Sequence, residues 1–226
     1  MIKIFLDTCD LNAIKEWEPK VQGFTTNPSL ARKAGVIDYE KFCKEVLTVV
    51  NGKPVSFEVF ADEFDEMERQ ARIISGWGDN VYVKIPIMNT QGDYSYDLIE
   101  KLLKDAIKLN VTAVMSWEQT TNLPAPTGTP WILSVFSGRI ADSGIDPNRT
   151  IREIRDTMPE EAEILWASPR EVFNIYEAEK SGADIITCTP ELIEKYETRK
   201  GREPNGLSKE IVKQFYDDGQ TAGYKL

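Results

Sequence analysis

Histidine is absent from all 226 residues of the chain. Its absence excludes Ser-His-Asp and Cys-His nucleophile systems, histidine general bases and histidine-ligated zinc. Any acid–base chemistry must therefore come from Asp, Glu, Lys, Tyr or Cys side chains.

Cysteine is scarce, and long apolar runs are missing. Cys9, Cys43 and Cys188 are odd in number, widely spaced and without a Cys-x-x-Cys motif, which indicates free thiols in a reducing compartment and argues against a redox or zinc role. No apolar run approaches the roughly 18 residues of a membrane-spanning helix, and the first residues lack the features of a signal peptide. We therefore expect a cytoplasmic protein that does not bind membranes.

The composition is that of an ordinary globular protein, with 41% hydrophobic and 28% charged residues. The length fits one large domain over residues 1–226, of which 200–226 form a polar tail with a helix-like stretch at 207–216. A formal net charge of −10 disfavours binding to nucleic acid. An anionic small substrate is still compatible with that charge if arginines cluster locally.

Short apolar runs alternate with amphipathic stretches along the whole chain, which indicates parallel βαβ units. The two candidate folds are a (β/α)8 barrel and a doubly wound open sheet. A strand count near eight favours the barrel, and neither a dinucleotide-binding glycine motif nor a P-loop is present. The predicted strands are 2–7, 21–25, 54–60, 81–85, 111–115, 131–136, 163–167 and 184–187, and the predicted helices are 38–50, 62–74, 96–109, 150–158 and 170–181. Asp38 is the expected N-cap of the first of these helices, and the prolines of 117–130 preclude a long helix there.

Lys84 stands out because it lies in a strand-like run of β-branched and aromatic residues that ends at Pro86. An ammonium group in a buried strand must lose its water or find a partner. Burial also favours the neutral amine, which can attack a carbonyl. The alternative is a lysine at a strand end that reaches out to solvent.

Further polar residues fall at the ends of the other predicted strands, where a barrel carries its active site. Each has an ordinary structural alternative: Asp7 could cap a turn, Asn27-Pro28 could open a helix, and each arginine could form a surface ion pair. Glu58 is harder to explain in this way, because unpaired buried carboxylates are rare. The strand-end set is Asp7, Thr26, Asn27, Glu58, Lys84, Asn110, Thr112, Ser134, Phe136, Arg139, Ser168 and Arg170.

This set fits Schiff-base catalysis. Lys84 would attack a ketone and form an iminium, which withdraws electrons so that the adjacent carbon–carbon bond can break. Asp7 would remove the hydroxyl proton of the departing aldehyde, and Glu58 with Thr112 would hold the water of the imine steps. Arginines 139 and 170 together with Ser134 would bind a phosphate. This chemistry needs no metal or cofactor.

Several motifs in this order resemble the transaldolase family, and the short chain resembles its small subgroup, which includes fructose-6-phosphate aldolases and phage-type members. The run Thr25-Thr26-Asn27-Pro28-Ser29 followed by Val83-Lys84-Ile85-Pro86 is the most specific part. The other motifs are Leu6-Asp7-Thr8, Asn110-Val111-Thr112, Ser137-Gly138-Arg139-Ile140 and Ala167-Ser168.

The resemblance implies a (β/α)8 barrel that transfers a dihydroxyacetone unit between sugar phosphates in the cytoplasm, or in the host cytoplasm if the source is a phage. It implies that Lys84 forms the Schiff base, Asp7 transfers the proton, and Glu58 and Thr112 bind water. Asn27 and Asn110 would bind substrate hydroxyls, and Ser134, Arg139 and Arg170 would bind phosphate. It also implies a homo-oligomer, a pentamer or decamer, in which the C-terminal helix reaches a neighbour.

Two positions favour a transaldolase over an aldolase. Transaldolases resemble this chain in having Glu58 and Phe136, where the aldolases tend to carry Gln and Tyr. The chain departs from the family pattern at 117–130, at Val135 and at Pro169, which bears on the acceptor and on phosphate binding. The leading hypothesis is thus a transaldolase, with a fructose-6-phosphate aldolase and a non-catalytic sugar-phosphate-binding barrel as alternatives.

Overall fold

A computed structural model describes residues 1–124 and 128–225 of the chain. Strands and helices alternate through these residues as the sequence predicts, and each predicted strand overlaps an observed one. The strands are β1 Lys3–Asp7, β2 Gly23–Thr25, β3 Val55–Glu58, β4 Val81–Pro86, β5 Leu109–Val114, β6 Trp131–Val135, β7 Ala162–Trp166 and β8 Ile185–Cys188. The helices are α1 Leu11–Trp17, α2 Pro28–Lys33, α3 Tyr39–Val49, α4 Phe64–Ser75, α5 Tyr96–Lys104, α6 Ser137–Asp142, α7 Pro147–Arg155, α8 Phe173–Ser181, α9 Pro190–Arg199 and α10 Pro204–Ala222.

The strands form a closed barrel in which each strand is parallel to the next and β8 pairs with β1. This confirms the predicted (β/α)8 barrel and excludes the doubly wound open sheet. In a parallel barrel all strands point their C-terminal ends to one mouth. The polar residues at the strand ends are therefore gathered at that mouth.

The lower interior of the barrel is filled by apolar side chains. Phe5 on β1 pairs with Gly23 on β2, and a Cβ atom at Gly23 would lie 2.4 Å from the Phe5 ring. Glycine is required there because the ring occupies the space of a side chain. The buried residues of this inner cluster are Phe5, Ile132, Leu165 and Ile185, together with Ala167, which follows the end of β7.

Helix α3 packs an apolar face against the outside of the barrel, and its N-terminus is capped as the sequence predicts. The Asp38 side chain accepts a hydrogen bond of 3.0 Å from the backbone N–H of Lys41 at the start of α3. The same helix buries Phe42, Cys43 and Val46, which share one face.

One helix is shorter than predicted. The pattern predicts a helix over 96–109, but α5 ends at Lys104 and β5 begins at Leu109. Ala106 has a φ of 60°, and the N–H of Ile107 donates 3.0 Å to the carbonyl of Leu102. A residue in the left-handed region with such a bond closes a helix, so the chain turns there and enters the strand.

The last helix extends well beyond the predicted 207–216, since α10 spans Pro204–Ala222. None of its described residues is buried in the single chain.

The segment 117–130 before β6 was predicted to form no long helix. Its described part contains a short 3-10 turn, Glu118–Thr120, and residues 125–127 lie outside the described residues. Among the described helices, none combines the length and the apolar character needed to cross a membrane.

Candidate active site

Lys84 lies inside the barrel near the C-terminal end of β4 and is only 6% exposed. Its Nζ atom lies 3.0 Å from Oε2 of Glu58 and donates a hydrogen bond of 3.1 Å to the backbone carbonyl of Thr26. The two charged residues are register partners on β3 and β4. The alternative in which Lys84 reaches solvent is wrong, because its ammonium group is held by partners inside the barrel.

Asp7 ends β1 at the same mouth. Its Oδ1 accepts a hydrogen bond of 2.7 Å from the Thr25 hydroxyl. Burial raises the pKa of the Asp7 carboxyl, while the Lys84 charge and the Thr25 bond act in the opposite direction. Asp7 does not cap the following helix, since the side chain of Asp10 accepts from the first N–H groups of α1. A carboxyl with a raised pKa beside a lysine is suited to taking up and releasing a proton.

Glu58 is paired, which explains how a carboxylate is accommodated in an apolar strand. Besides its contact with Lys84, its backbone is fixed by the Tyr39 hydroxyl, which accepts 3.0 Å from the Glu58 N–H and donates 3.2 Å to its carbonyl. Burial raises the pKa of the Tyr39 phenol far above its usual range. Tyr39 therefore remains a neutral hydroxyl that holds the end of β3.

Asn110 and Thr112 on β5 continue the polar lining beside Lys84. The Ser134 hydroxyl donates 2.7 Å to Oδ1 of Asn110, and Nδ2 of Asn110 donates 3.0 Å to the hydroxyl of Ser56. The Thr112 hydroxyl is buried and has no hydrogen-bond partner. A buried polar atom of this kind usually bonds to water or to a ligand, so Thr112 can hold the water predicted for it.

Thr26 and Asn27 form hydrogen bonds within the chain at the end of β2. The Thr26 hydroxyl donates 2.9 Å to the backbone carbonyl of Ser56, and its own carbonyl accepts from Lys84. Oδ1 of Asn27 accepts 2.9 Å from the N–H of Leu30 and caps α2, whose first residue is Pro28. The alternative in which Asn27-Pro28 opens a helix is thus confirmed. Thr26 positions Lys84 through its backbone carbonyl.

The two arginines are exposed on the rim of the mouth, whereas Ser134 is buried. Arg170 forms an ion pair with Asp142 at the end of α6, and the guanidinium of Arg139 lies 6.0 Å from the centroid of the Phe136 ring. The Ser134 hydroxyl bonds to Asn110, and the phosphate site predicted for Ser134, Arg139 and Arg170 stays a prediction.

The rim segments after β6 and β7 approach each other very closely at Gly138. A Cβ atom there would lie 1.7 Å from the carbonyl oxygen of Ser168 and 3.3 Å from Nε of Arg170. Ser168 itself has a φ of 58°, in the left-handed region that few side chains adopt. The position of Arg170 therefore depends on the absence of a side chain at 138.

In the part of the chain that the structure describes, the cysteines form no reactive thiol site, and no metal-binding cluster is present. All three cysteines are free and buried, and burial raises the pKa of Cys9 to about 11 and that of Cys188 to about 12. Such thiols are poor nucleophiles. Across residues 1–124 and 128–225, no group of three or more His, Cys, Asp or Glu is arranged to hold a metal ion.

Sequence reasoning missed Thr25, Ser56 and Tyr39. Thr25 directs its hydroxyl to Asp7, whereas the adjacent Thr26 directs its own away from it. The signal was the two-residue alternation of a strand: Gly23 faces the interior, so Thr25 must also do so. Tyr39 lies on a helix, and no strand pattern could connect it to the site.

A closed parallel barrel with a buried lysine and two carboxylates at its mouth has the architecture of a barrel enzyme. The model of the transaldolase/fructose-6-phosphate aldolase family matches residues 4–224. The chain belongs to this family.

Curated relatives agree over nearly the whole chain. A protein of Brucella anthropi described as a probable transaldolase is 35% identical over 230 residues, covering 100% of both chains. One of Methanococcus maripaludis with the same description is 37% identical over 199 residues, covering 86% of this chain and 89% of the other. The solved structure of thiamine phosphate pyrophosphorylase from Pyrococcus furiosus is similar with a TM-score of 0.55 at 13% identity, covering 87% and 94% of the two chains. At that identity the structural likeness supports the barrel fold alone.

Proposed function

We propose that the protein is a transaldolase of the pentose phosphate pathway. It would convert sedoheptulose 7-phosphate and glyceraldehyde 3-phosphate into erythrose 4-phosphate and fructose 6-phosphate through a Schiff base on Lys84. The observation that carries the proposal is the contact between buried Lys84 and Glu58, with Asp7 at the same mouth. We propose a cytoplasmic location as well, which is supported by the three free cysteines.

The first half-reaction begins when Lys84 transfers a proton to Glu58, which lies 3.0 Å away. The neutral amine attacks the ketone carbon of the donor and forms a carbinolamine. Glu58 returns its proton to the departing hydroxyl, so that water leaves and an iminium forms. That water would lie between Glu58 and the unpartnered hydroxyl of Thr112.

Carbon–carbon cleavage then requires a base at the donor's C4 hydroxyl. Asp7 takes that proton, the aldehyde leaves, and the electron pair of the broken bond flows to the iminium nitrogen as an enamine. The enamine remains on Lys84 until an acceptor aldehyde enters. Its attack on the acceptor forms the new bond, while Asp7 returns the proton to the new hydroxyl.

The remaining site residues would bind the donor along its length. Asn110, which bonds to Ser134 beside Lys84, would bind a hydroxyl near the reacting carbon. Asn27 would bind a further hydroxyl at the mouth. Arg139, Arg170 and Ser134 would bind the phosphate, with Ser168 and Phe136 beside them as further substrate contacts.

The test is borohydride reduction in the presence of fructose 6-phosphate, followed by peptide mass spectrometry. The expected result is one reduced three-carbon or six-carbon adduct, on Lys84. Lys84→Ala should abolish it, whereas Lys108→Ala, which removes a lysine near the Tyr82 ring, should leave it unchanged. Wild-type protein without an adduct on Lys84 would falsify the mechanism and favour a binding barrel.

A fructose-6-phosphate aldolase would use the same lysine, and the family includes both activities. Glu58 and Phe136 favour the transaldolase, as the resemblance implies. A coupled assay with and without an acceptor aldehyde separates the two. Transfer should exceed the release of free dihydroxyacetone, and faster release would identify an aldolase.

We also propose a homo-oligomer in which α10 packs on a second copy of the chain. The support is an exposed apolar stripe at helical spacing on a helix that buries none of its residues in the single chain. The stripe comprises Ile211, Val212, Phe215 and Tyr216. The resemblance favours five or ten subunits.

A further inference from the structure

A second hydroxyl lies behind the one that contacts Asp7. The Thr25 hydroxyl is 2.7 Å from Oδ1 of Asp7 and 2.6 Å from the hydroxyl of Thr187 on β8. Both threonines are buried, with exposures of 2% and 5%. Three side chains from three adjacent strands thus form one continuous chain of hydrogen bonds.

The direction of these bonds is fixed when Asp7 is ionised. A carboxylate only accepts, and a hydroxyl has a single proton to donate. Thr25 must therefore donate to Asp7, and Thr187 must donate to Thr25. When Asp7 is protonated, its own hydroxyl can donate to Thr25 and Thr25 can donate to Thr187. The chain can reverse by rotating protons, without moving a heavy atom.

The charged and titratable groups around Asp7 cannot stabilise both of its protonation states in this way. Lys84 on β4 and Glu58 on β3 face Asp7, and the thiols of Cys9 and Cys188 lie nearby. The positive charge of Lys84 is lost when it becomes a neutral nucleophile, and Glu58 opposes ionisation of Asp7. The hydroxyl dipoles of the two threonines are present in every state of Lys84.

We propose that Thr187 is a positioning residue for the reaction, which acts through Thr25 on Asp7. The inference rests on the proposed function. Thr187 and Thr25 form a reversible hydroxyl relay that stabilises Asp7 as a carboxylate before cleavage and as an acid after it. The relay lowers the barrier of the proton transfer, because the buried site needs no water to reorganise around the changing charge.

The test compares Thr187→Val, which keeps the shape and removes the hydroxyl, with Thr187→Ser, which keeps the hydroxyl. Thr150→Val is the matched control, because Thr150 is also buried, at 7% exposure, but lies on α7. The readouts are the pH profile of kcat, the yield of the borohydride adduct on Lys84 and the melting temperature.

In Thr187→Val, ionised Asp7 loses more support than protonated Asp7, because hydrogen bonds to a charged group are the stronger ones. The acidic limb of the kcat profile should therefore move to higher pH by roughly half a unit. Below that limb kcat should fall about threefold at fixed pH. The adduct yield should be unchanged, because imine formation uses Glu58, and Thr187→Ser should restore the profile. Thr150→Val should retain the wild-type profile.

Superimposable profiles for Thr187→Val and wild type would overturn the relay and leave the Schiff-base function standing, as would an equal shift in Thr150→Val. The relay would also be overturned if Thr187→Ser loses as much activity and melting temperature as Thr187→Val, since the role would then be structural. A wild-type protein without an adduct on Lys84 would overturn the proposed function instead.

Discussion

Tyr39 holds Glu58 from outside the barrel, through two hydrogen bonds of 3.0 and 3.2 Å between its hydroxyl and the Glu58 backbone. The residue that contacts Lys84 is therefore fixed by a helix rather than by its own strand alone. Tyr39 thus holds the backbone of Glu58, which leaves the Glu58 carboxylate available for its contact with Lys84.

Tyr39→Phe should reduce both stability and turnover. The change leaves the N–H and carbonyl of Glu58 without this partner, at an expected loss of about 1–3 kcal/mol in the free energy of unfolding. The kcat should fall while the KM for the donor stays near its wild-type value, because Glu58 loses position and the rim is unchanged. Urea titrations and steady-state kinetics measure the two effects. Tyr176→Phe, at a residue with 44% exposure, is the control and should alter neither.

Asp7→Asn should abolish cleavage but stabilise the fold at neutral pH. Burial raises the pKa of Asp7 in the folded chain above its unfolded value of about 3.9. The folded chain therefore holds this proton more tightly, and the free energy of unfolding decreases as the pH rises from the unfolded pKa to the folded one. Asparagine has no such dependence, so its advantage should grow as the pH rises above about 3.9 and vanish as the pH falls towards that value.

Thermal unfolding from pH 4 to pH 8 measures this advantage. Asp218→Asn on α10 serves as the control, because its carboxyl is exposed in the single chain. An Asp7 variant that is less stable than wild type at pH 7 would show that the charge of Asp7 supports the fold instead.

Gly138→Ala should disturb the rim. The new methyl group would lie 1.7 Å from the Ser168 carbonyl oxygen, so the segments after β6 and β7 must separate. We expect a loss of about 1–3 kcal/mol in stability and a KM for the phosphorylated donor raised about tenfold, equivalent to roughly 1.4 kcal/mol of binding.

Gly219→Ala on α10 is the matched substitution, since a Cβ atom there meets nothing within 4 Å. It should leave the KM unchanged and, if anything, stabilise the helix by about 0.5–1 kcal/mol. If Gly138→Ala keeps the wild-type KM, the rim segments around Gly138 do not take part in binding the donor's phosphate.

Phe215→Asp should dissociate the proposed oligomer. Phe215 is 68% exposed in the single chain, at the centre of the apolar stripe on α10. Burying a charge in an interface without a partner is unfavourable, so the variant should sediment as a smaller species. Gln214→Asp tests whether charge on the helix is sufficient, and it should retain the wild-type mass. Equal masses for wild type and Phe215→Asp in analytical ultracentrifugation would exclude this face.

The sequence predicts the barrel because each strand and helix has its own periodicity, and eight such repeats leave few topologies. Helix ends were less predictable: the apolar pattern of α5 runs on to Leu109, whereas the left-handed turn at Ala106 stops the helix. Alanine carries no sequence signal for that conformation.

For the site, the sequence predicts which strand ends carry chemistry but not how the side chains pair. The contact between Glu58 and Lys84 follows from strand register, which the closed barrel fixes. The bonds of Tyr39 to Glu58 and of Gly138 to the opposite rim join distant segments, and only the assembled structure brings them together.

Phe5, seated against Gly23, gives the site a closed floor. In the part of the chain that the structure describes, this floor leaves the mouth at the C-terminal ends of the strands as the way to Lys84. In the proposed reaction the released aldehyde and the acceptor both pass through this mouth, so the aldehyde must leave before the acceptor can approach Lys84. For the proposed transaldolase, the closed floor therefore predicts the order donor in, aldehyde out, acceptor in, product out.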